Sequence, residues 1–173
     1  MPPSRKPVDF WKGSTIIRDT REQKPYLFTG EPVLVWSLKT GDYSISGMEH
    51  LVCVERKSQG DYWGCLGKSR KRFVAELERM KEIPWSLVVI EASLSMIREG
   101  YYFYNGSKAV RSKIPGITAL NSALFWTISY PSITFQFAGT REDSEWLTLN
   151  WLKMALRYHR HIEKEASIGP KED

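Results

Sequence analysis

Carboxylates and bases crowd the first third of the chain at spacings that could do chemistry. Gly41-Asp42 is followed by Glu55-Arg56-Lys57 and then Asp61, and Asp19-Thr20-Arg21-Glu22 lies just after the apolar pair Ile16-Ile17. Carboxylates beside buried strands are costly unless paired or bound to a metal. Residues two apart in a strand share a face, so Glu55 and Lys57 point one way and Arg56 the other. A hairpin can bring Asp42 beside Glu55, while Asp19 and Glu22 lie just past the end of the first strand. Carboxylates converging at one sheet end repel each other, and a divalent cation relieves that repulsion. Mg²⁺ takes carboxylates, waters and phosphate oxygens; it lowers the pKa of a bound water and neutralises charge building on a phosphate. Lys57 would orient the water or stabilise transition-state charge. Arg56 would clamp a phosphate or hold a carboxylate through its planar fork. The chemistry expected is metal-dependent phosphodiester cleavage.

Each piece alone has a plainer meaning. Glu-Arg-Lys is a common solvated charge run, Gly-Asp a common turn, and Asp61 suits a helix N-cap. Asp19 could simply pair with Arg18 or Arg21. Their joint occurrence, in order and each at a strand end, favours a site. Lys68, Arg70, Lys71 and Arg72 cluster where a helix start prefers acids; they suit the DNA backbone, with a solvated face as the competing reading. Lys108, Arg111 and Lys113 follow Tyr101, Tyr102, Phe103 and Tyr104, a mixture that suits strand contact or stacking or a loop packed by its own aromatics. His159 and His161, two apart on a helix, diverge and cannot share a metal.

The elements that must position these residues are readable from periodicity. Strands are expected at Ser14–Arg18, Pro32–Leu38, Tyr43–Ile45 and His50–Lys57, the last two forming a hairpin. One helix is expected from Asp61 or Lys68 to Ile83, with Phe73, Leu77 and Met80 on its apolar face. Leu87–Glu91 is a continuous apolar strand of the kind buried on both faces. Ser95–Pro115 reads as a long loop or broken helix. A helix over Gly116–Ser129 carries Ile117, Leu120, Leu124 and Ile128 on one face, and Ile133–Phe137 is a strand. A last helix, capped by Asp143 or Ser144, runs to Ile162 with Trp146, Leu149, Leu152 and Leu156 inward. Strands followed by strand–helix alternation predict a three-layer α/β domain. Residues 1–12 read as a flexible arm, 13–164 as the folded domain and 165–173 as a polar tail.

Bulk properties agree. A chain of 173 residues suits one domain with a real core. A net charge of +5 and a pI of about 9.2 favour an anionic partner such as nucleic acid. Cys53 and Cys65 make neither a metal-ligand spacing nor a disulfide framework, which suits a reducing compartment. With no apolar leader and no run of membrane-spanning length, the expectation is an intracellular protein with no membrane partner.

Taken together, Gly41-Asp42, Glu55-Arg56-Lys57 and Asp61 resemble the signature GDx(n)ERKxxxD of the XPF family of structure-specific endonucleases. Ile16–Glu22 is similar to that family's opening strand and DxRE element, and the helix with Phe73, Glu76 and Leu77 followed by Ser86–Glu91 is similar to its helix and buried strand. The resemblance implies a restriction-endonuclease-like, PD-(D/E)xK three-layer core with a central mixed sheet flanked by helices. It implies Mg²⁺- or Mn²⁺-dependent cleavage of branched DNA such as flaps or forks. Carried over by position, Asp19, Glu22, Asp42 and Glu55 would be metal ligands, Lys57 the catalytic lysine, and Arg56 and Asp61 would complete the catalytic set. Arg21 is counted with the DNA-contacting residues. Members also dimerise, as homodimers or heterodimers, through the nuclease domain; here the last helix or the Trp-rich face would serve. Many members carry a tandem helix-hairpin-helix domain or a helicase motor, which this sequence lacks. Two alternatives are a catalytically silent DNA-binding or dimerising subunit, and a sequence-specific restriction-type enzyme reading DNA through residues 95–115.

Overall fold

The computed structural model describes residues 11–104 and 108–168. Among the described residues, eight strands and five helices follow in the order β1 (Ile16–Arg18), β2 (Val33–Val35), β3 (Tyr43–Ile45), β4 (Val52–Ser58), α1 (Gln59–Leu66), α2 (Arg70–Met80), β5 (Trp85–Glu91), α3 (Leu94–Glu99), β6 (Tyr101–Tyr104), β7 (Lys108–Arg111), α4 (Gly116–Ser129), β8 (Ile133–Phe137) and α5 (Arg141–Ile168). Six strands form one mixed sheet in the order β2-β1-β3-β4-β5-β8, and β6 pairs with β7 alone. β3 runs antiparallel to both β1 and β4, whereas β4, β5 and β8 run parallel. This is the expected mixed sheet flanked by helices.

Alternation along β4 and β5 divides the core in two. Cys53, Val88 and Ile90 pack with α1, α2 and α4 on one face. Val52, Val54, Leu87 and Val89 pack with Leu152 and Leu156 of α5 on the other, together with Tyr26, Phe28 and Tyr43. Those three rings lie within 5.7 Å of one another, centroid to centroid. They brace the loop between β1 and β2 against the sheet.

The structure departs from the expected elements in six places. The last helix opens at Arg141 and is capped by Thr140, not by Asp143 or Ser144, Thr140 Oγ1 accepting from Asp143 N at 3.0 Å. The single helix predicted up to Ile83 is two: α1 ends at Leu66 with Gly67 as its C-cap, whose N–H donates to Gly64 O, and α2 opens at Arg70. Within the expected loop, α3 and the paired strands β6 and β7 form instead. Most of the apolar stripe of α4 faces outward: Ile117, Leu124 and Ile128 are exposed, as is Phe125, whereas Leu120 packs half-buried against the core beside the buried Ala119, Ala123 and Trp126. Small residues let α4 approach closely, and Trp126 fills the gap against Phe73 at 5.0 Å. On α5, Trp146 is exposed. Its place inward is taken by Ser144 and Thr148, whose hydroxyls donate to Thr140 O and Ser144 O and so tolerate burial. Finally, the ends are more structured than expected: Trp11 is buried among the α5-side residues, and α5 continues to Ile168.

Candidate active site

The site forms where β3 meets β4. Gly41 sits at φ +78°, and a Cβ there would lie 3.0 Å from Val54 O and 3.2 Å from Cys53 Cβ. Only glycine meets both demands, so the chain can press against β4 and deliver Asp42 to it. Asp42 N donates to Val54 O at 2.8 Å, and Asp42 Oδ2 accepts from Arg56 N at 2.8 Å. Glu55 and Lys57, on one face of β4 as the period-two alternation predicts, are an ion pair.

Burial pushes Asp42 well above the usual carboxylate range, and the neighbouring Glu55 pushes it further. Burial also raises Glu55, against the pull of Lys57. Burial opposes the charge on Lys57, but Glu55 holds its proton more firmly than usual. Two desolvated carboxylates beside a single lysine leave negative charge uncompensated. A cavity of about 290 Å³ opens onto Asp42, Glu55, Lys57 and Glu76. A second, about 410 Å³, joins Asp42 and Glu55 to Glu22 and Asp61.

The other predicted residues are placed differently. Asp19 is buried with both oxygens engaged: Oδ1 accepts from Arg21 N and Nε, and Oδ2 from Leu38 N at 2.6 Å and Arg21 Nη2. Burial works to raise it, but Arg21 and the two amides hold it below its ordinary value. Asp19 therefore ties down the loop, and Arg21, also donating to Leu38 O, is committed to that tie. Arg56 faces away from Glu55. Its fork grips both oxygens of Glu91 at 2.7 and 2.8 Å, and Nη1 reaches Glu22 Oε1 at 3.3 Å. Of the two roles open to it, it holds carboxylates. Asp61 and Ser58 cap α1 reciprocally, Ser58 Oγ donating to Asp61 Oδ2 at 2.6 Å and accepting from Asp61 N.

Among the basic residues, Lys68, Arg72, Arg111 and Lys113 line a cleft of about 1040 Å³ between α1–α2 and the β7 end of the hairpin. Lys57 lines this cleft too, so it opens onto the acidic pair. Arg70 instead lies 5.5 Å from the Trp126 ring, toward α4. Lys71 is exposed on α2 and lines none of these cavities. Lys108 belongs to β7, and its side chain lies outside the described residues. Sequence reading missed Glu91 and Arg141, which meet at 3.0 Å.

The model of the ERCC4 domain matches residues 18–150. The chain belongs to this family. This ERCC4 domain is similar in fold to XPF from Aeropyrum pernix, with a TM-score of 0.60 and 15% identity over 82% of this chain. It spans 61% of the length of that protein's chain. No curated protein matches the sequence. The architecture is that of an XPF-type nuclease domain, restriction-endonuclease-like.

The donor set can be tested against the divalent cation that the family implies. Asp42 Oδ1 and Glu55 Oε2 accept no hydrogen bond among the described residues, and both oxygens belong to desolvated, mutually repelling carboxylates. Those two fit a hard cation, with Glu22 on the same cavity wall as a third oxygen donor through Oε2, whose one hydrogen bond among the described residues is the 3.5 Å contact from Arg56 Nη1. Asp19 does not fit, its two oxygens accepting four hydrogen bonds. Among the described residues no group of three or more His, Cys, Asp or Glu is already gathered as a ligand cage.

Proposed function

We propose that this ERCC4 domain is a divalent-metal-dependent DNA endonuclease acting at branched structures such as flaps and forks. The observation that carries the reading is the half-buried Asp42 beside the buried Glu55, with Lys57 on the same face of β4. Asp42 and Glu55, joined by Glu22, would hold Mg²⁺ or Mn²⁺, which supplies Lewis acidity and an activated water. Lys57, kept protonated by Glu55, places positive charge at Nζ beside the cavity, where negative charge develops on a phosphate. The burial that makes the carboxylates costly without a cation makes each of these interactions stronger with one.

The cleft beside the site supports nucleic acid as substrate. Lys24, Lys68, Arg72, Arg111 and Lys113 line it, and none has a side-chain partner among the described residues. Unpaired cations along one cleft suit a phosphate backbone. Arg21 and Arg70 are assigned to positioning and packing instead, and Lys71 to the solvated face of α2.

Dimerisation is proposed through α4 rather than the last helix. Gly116–Ser129 holds no charged residue. Its outward Ile117, Leu124, Phe125 and Ile128 are 60 to 80% exposed. An apolar face with no charge can meet its own copy without like-charge repulsion, and this helix carries none.

The competing reading, a silent DNA-binding or dimerising subunit, draws on Asp19, whose engagement with Arg21 removes one expected ligand. The deciding experiment is cleavage of labelled 3′-flap, fork and linear duplex DNA with Mg²⁺, Mn²⁺ or EDTA, comparing wild type with Glu55→Gln. Metal-dependent cutting of the branched substrates, lost in the variant, is the expected result. Binding without cutting would establish the silent subunit, and equal cutting of linear duplex the restriction-type enzyme.

A further inference from the structure

Arg141 opens α5, a position where a cation is disfavoured by the helix dipole. Its side chain is nevertheless fully used. Nη1 donates to Glu91 Oε1 at 3.0 Å, and Nη2 donates to Lys24 O and Pro25 O, both at 2.8 Å. The guanidinium lies 5.0 Å from the centre of the Tyr26 ring, the same ring that Arg56 approaches at 5.5 Å. Glu91 stands at the end of β5 and holds the Arg56 fork by both oxygens, while Arg56 Nη1 reaches Glu22. A continuous chain, Arg141–Glu91–Arg56–Glu22, thus runs from the start of α5 to the wall of the acidic cavity.

Two features show what this chain is for. It balances two arginines against two glutamates, so it adds no net charge to the site. It also grips one short loop at two points: Glu22 through Arg56, and the carbonyls of Lys24 and Pro25 directly. α5 also docks this loop farther along, Glu145 Oε1 accepting from Phe28 N at 2.6 Å and Lys153 pairing with Glu31, but it is Arg141 that reaches the residues beside Glu22. Glu22 Oε1 additionally accepts from Lys24 N at 2.7 Å, so fixing Lys24 fixes the carboxylate.

We propose that Arg141 is a positioning residue for the metal site: with Glu91, it holds the Glu22 loop where that carboxylate can join Asp42 and Glu55 around one divalent cation. The inference rests on the metal-dependent reading above. Partners that orient ligands typically change metal affinity by 10- to 100-fold when removed.

The test is Mn²⁺ binding to the intact, DNA-free protein, followed by the electron-spin-resonance signal of free Mn²⁺, for wild type, Arg141→Gln, Arg141→Lys and Glu91→Gln, with thermal melting as a check on folding. Wild type should take up Mn²⁺ saturably. Arg141→Gln and Glu91→Gln should bind it about 10- to 100-fold more weakly. Arg141→Lys should fall between, because an ammonium keeps the charge but cannot fork between a carboxylate and two carbonyls. Should Arg141→Gln fail to fold, the other two variants carry the comparison. Wild-type Mn²⁺ affinity in the folded variants, with a lowered melting point alone, would overturn the proposal and leave Arg141 an anchor for α5. Absence of Mn²⁺ uptake by wild type would instead overturn the metal-dependent reading, and this proposal with it.

Discussion

Two regions of this domain break the usual partition of residues, in opposite directions. At the β3–β4 junction, Glu55 and Arg56 are each only 8% exposed, and Asp42 is pressed against β4. On α4, Ile128 is 80% exposed and Leu124 and Phe125 are 62% exposed. Buried charge is expensive without a partner, and a contiguous exposed apolar face marks a contact. Under the proposed function, the first region would take a cation and the second a partner surface. Neither can be explained by the stability of the isolated chain, which would gain from neutral residues inside and polar ones outside. The departures therefore mark where the molecule meets something else, and their chemistry names its kind.

The comparison breaks most sharply at Glu55. Glu55→Gln or Asp42→Asn should reduce cleavage of branched DNA about 10³-fold, the scale of losing a principal electrostatic contributor. Asp42→Asn should also melt at a higher temperature than wild type in EDTA, because it removes the charge that Glu55 repels while its amide oxygen can still accept from Arg56 N. Cleavage rates and melting curves on the same preparations check both. Loss of activity with a lowered melting point would mean that the acids serve the fold.

The α4 face is tested by the opposite exchange. Phe125→Asp or Leu124→Asp should weaken self-association by about 2 kcal/mol, roughly 30-fold in Kd, as for an anchor residue in an interface. Sedimentation velocity across a concentration series reads this directly. Trp146→Asp on α5 is the contrasting variant: also apolar and exposed, it should leave association unchanged. If Trp146→Asp dissociates the dimer and Phe125→Asp does not, the last helix is the interface.

The two regions were unequally legible in the sequence. Period-two alternation fixes that Glu55 and Lys57 share a face and Arg56 opposes them, so the heart of the site follows from local geometry. In α4, periodicity shows that Ile117, Leu124 and Ile128 share a face but not whether that face looks in or out. The decision lies with Ala119 and Ala123, whose small size matters only against a neighbour. The β6–β7 hairpin had a local signal, Asn105-Gly106 between β-forming runs. Glu91 and Arg141 had none. Glu91 meets Arg56 only through the parallel register in which Arg56 lies opposite Val89, and Arg141 arrives from 50 residues further along the chain.

The basic cleft sharpens the first region, since charge around the acidic pair should be of two kinds: committed and free. Arg72→Ala combined with Lys113→Ala should weaken DNA binding about tenfold and lower the slope of log affinity against log salt by about 0.9 for each phosphate no longer neutralised. Lys71→Ala, one residue away but outside the cleft, should alter neither. Fluorescence anisotropy in EDTA at several salt concentrations separates the two, and equal effects at Lys71 and Arg72 would show that the outer face of α2, not the cleft, carries the strand.

The smallest effect is the most specific to buried acids. Asp42 and Glu55 hold protons above their ordinary values in the fold. The folded state then binds more protons than the unfolded chain between about pH 4, where free carboxylates titrate, and the raised values. Stability in EDTA should fall as pH rises through that window, and be fully present below it. A divalent cation binds the ionised pair, so the melting temperature gained from excess Mg²⁺ should grow over the same window, reaching a few degrees. On α4, with no titratable group, a neutral exchange such as Phe125→Ser should shift the melting temperature equally across that range. An Mg²⁺ increment that is flat with pH, or that survives in Asp42→Asn, would place the cation away from this pair and leave the buried charge without its proposed cause.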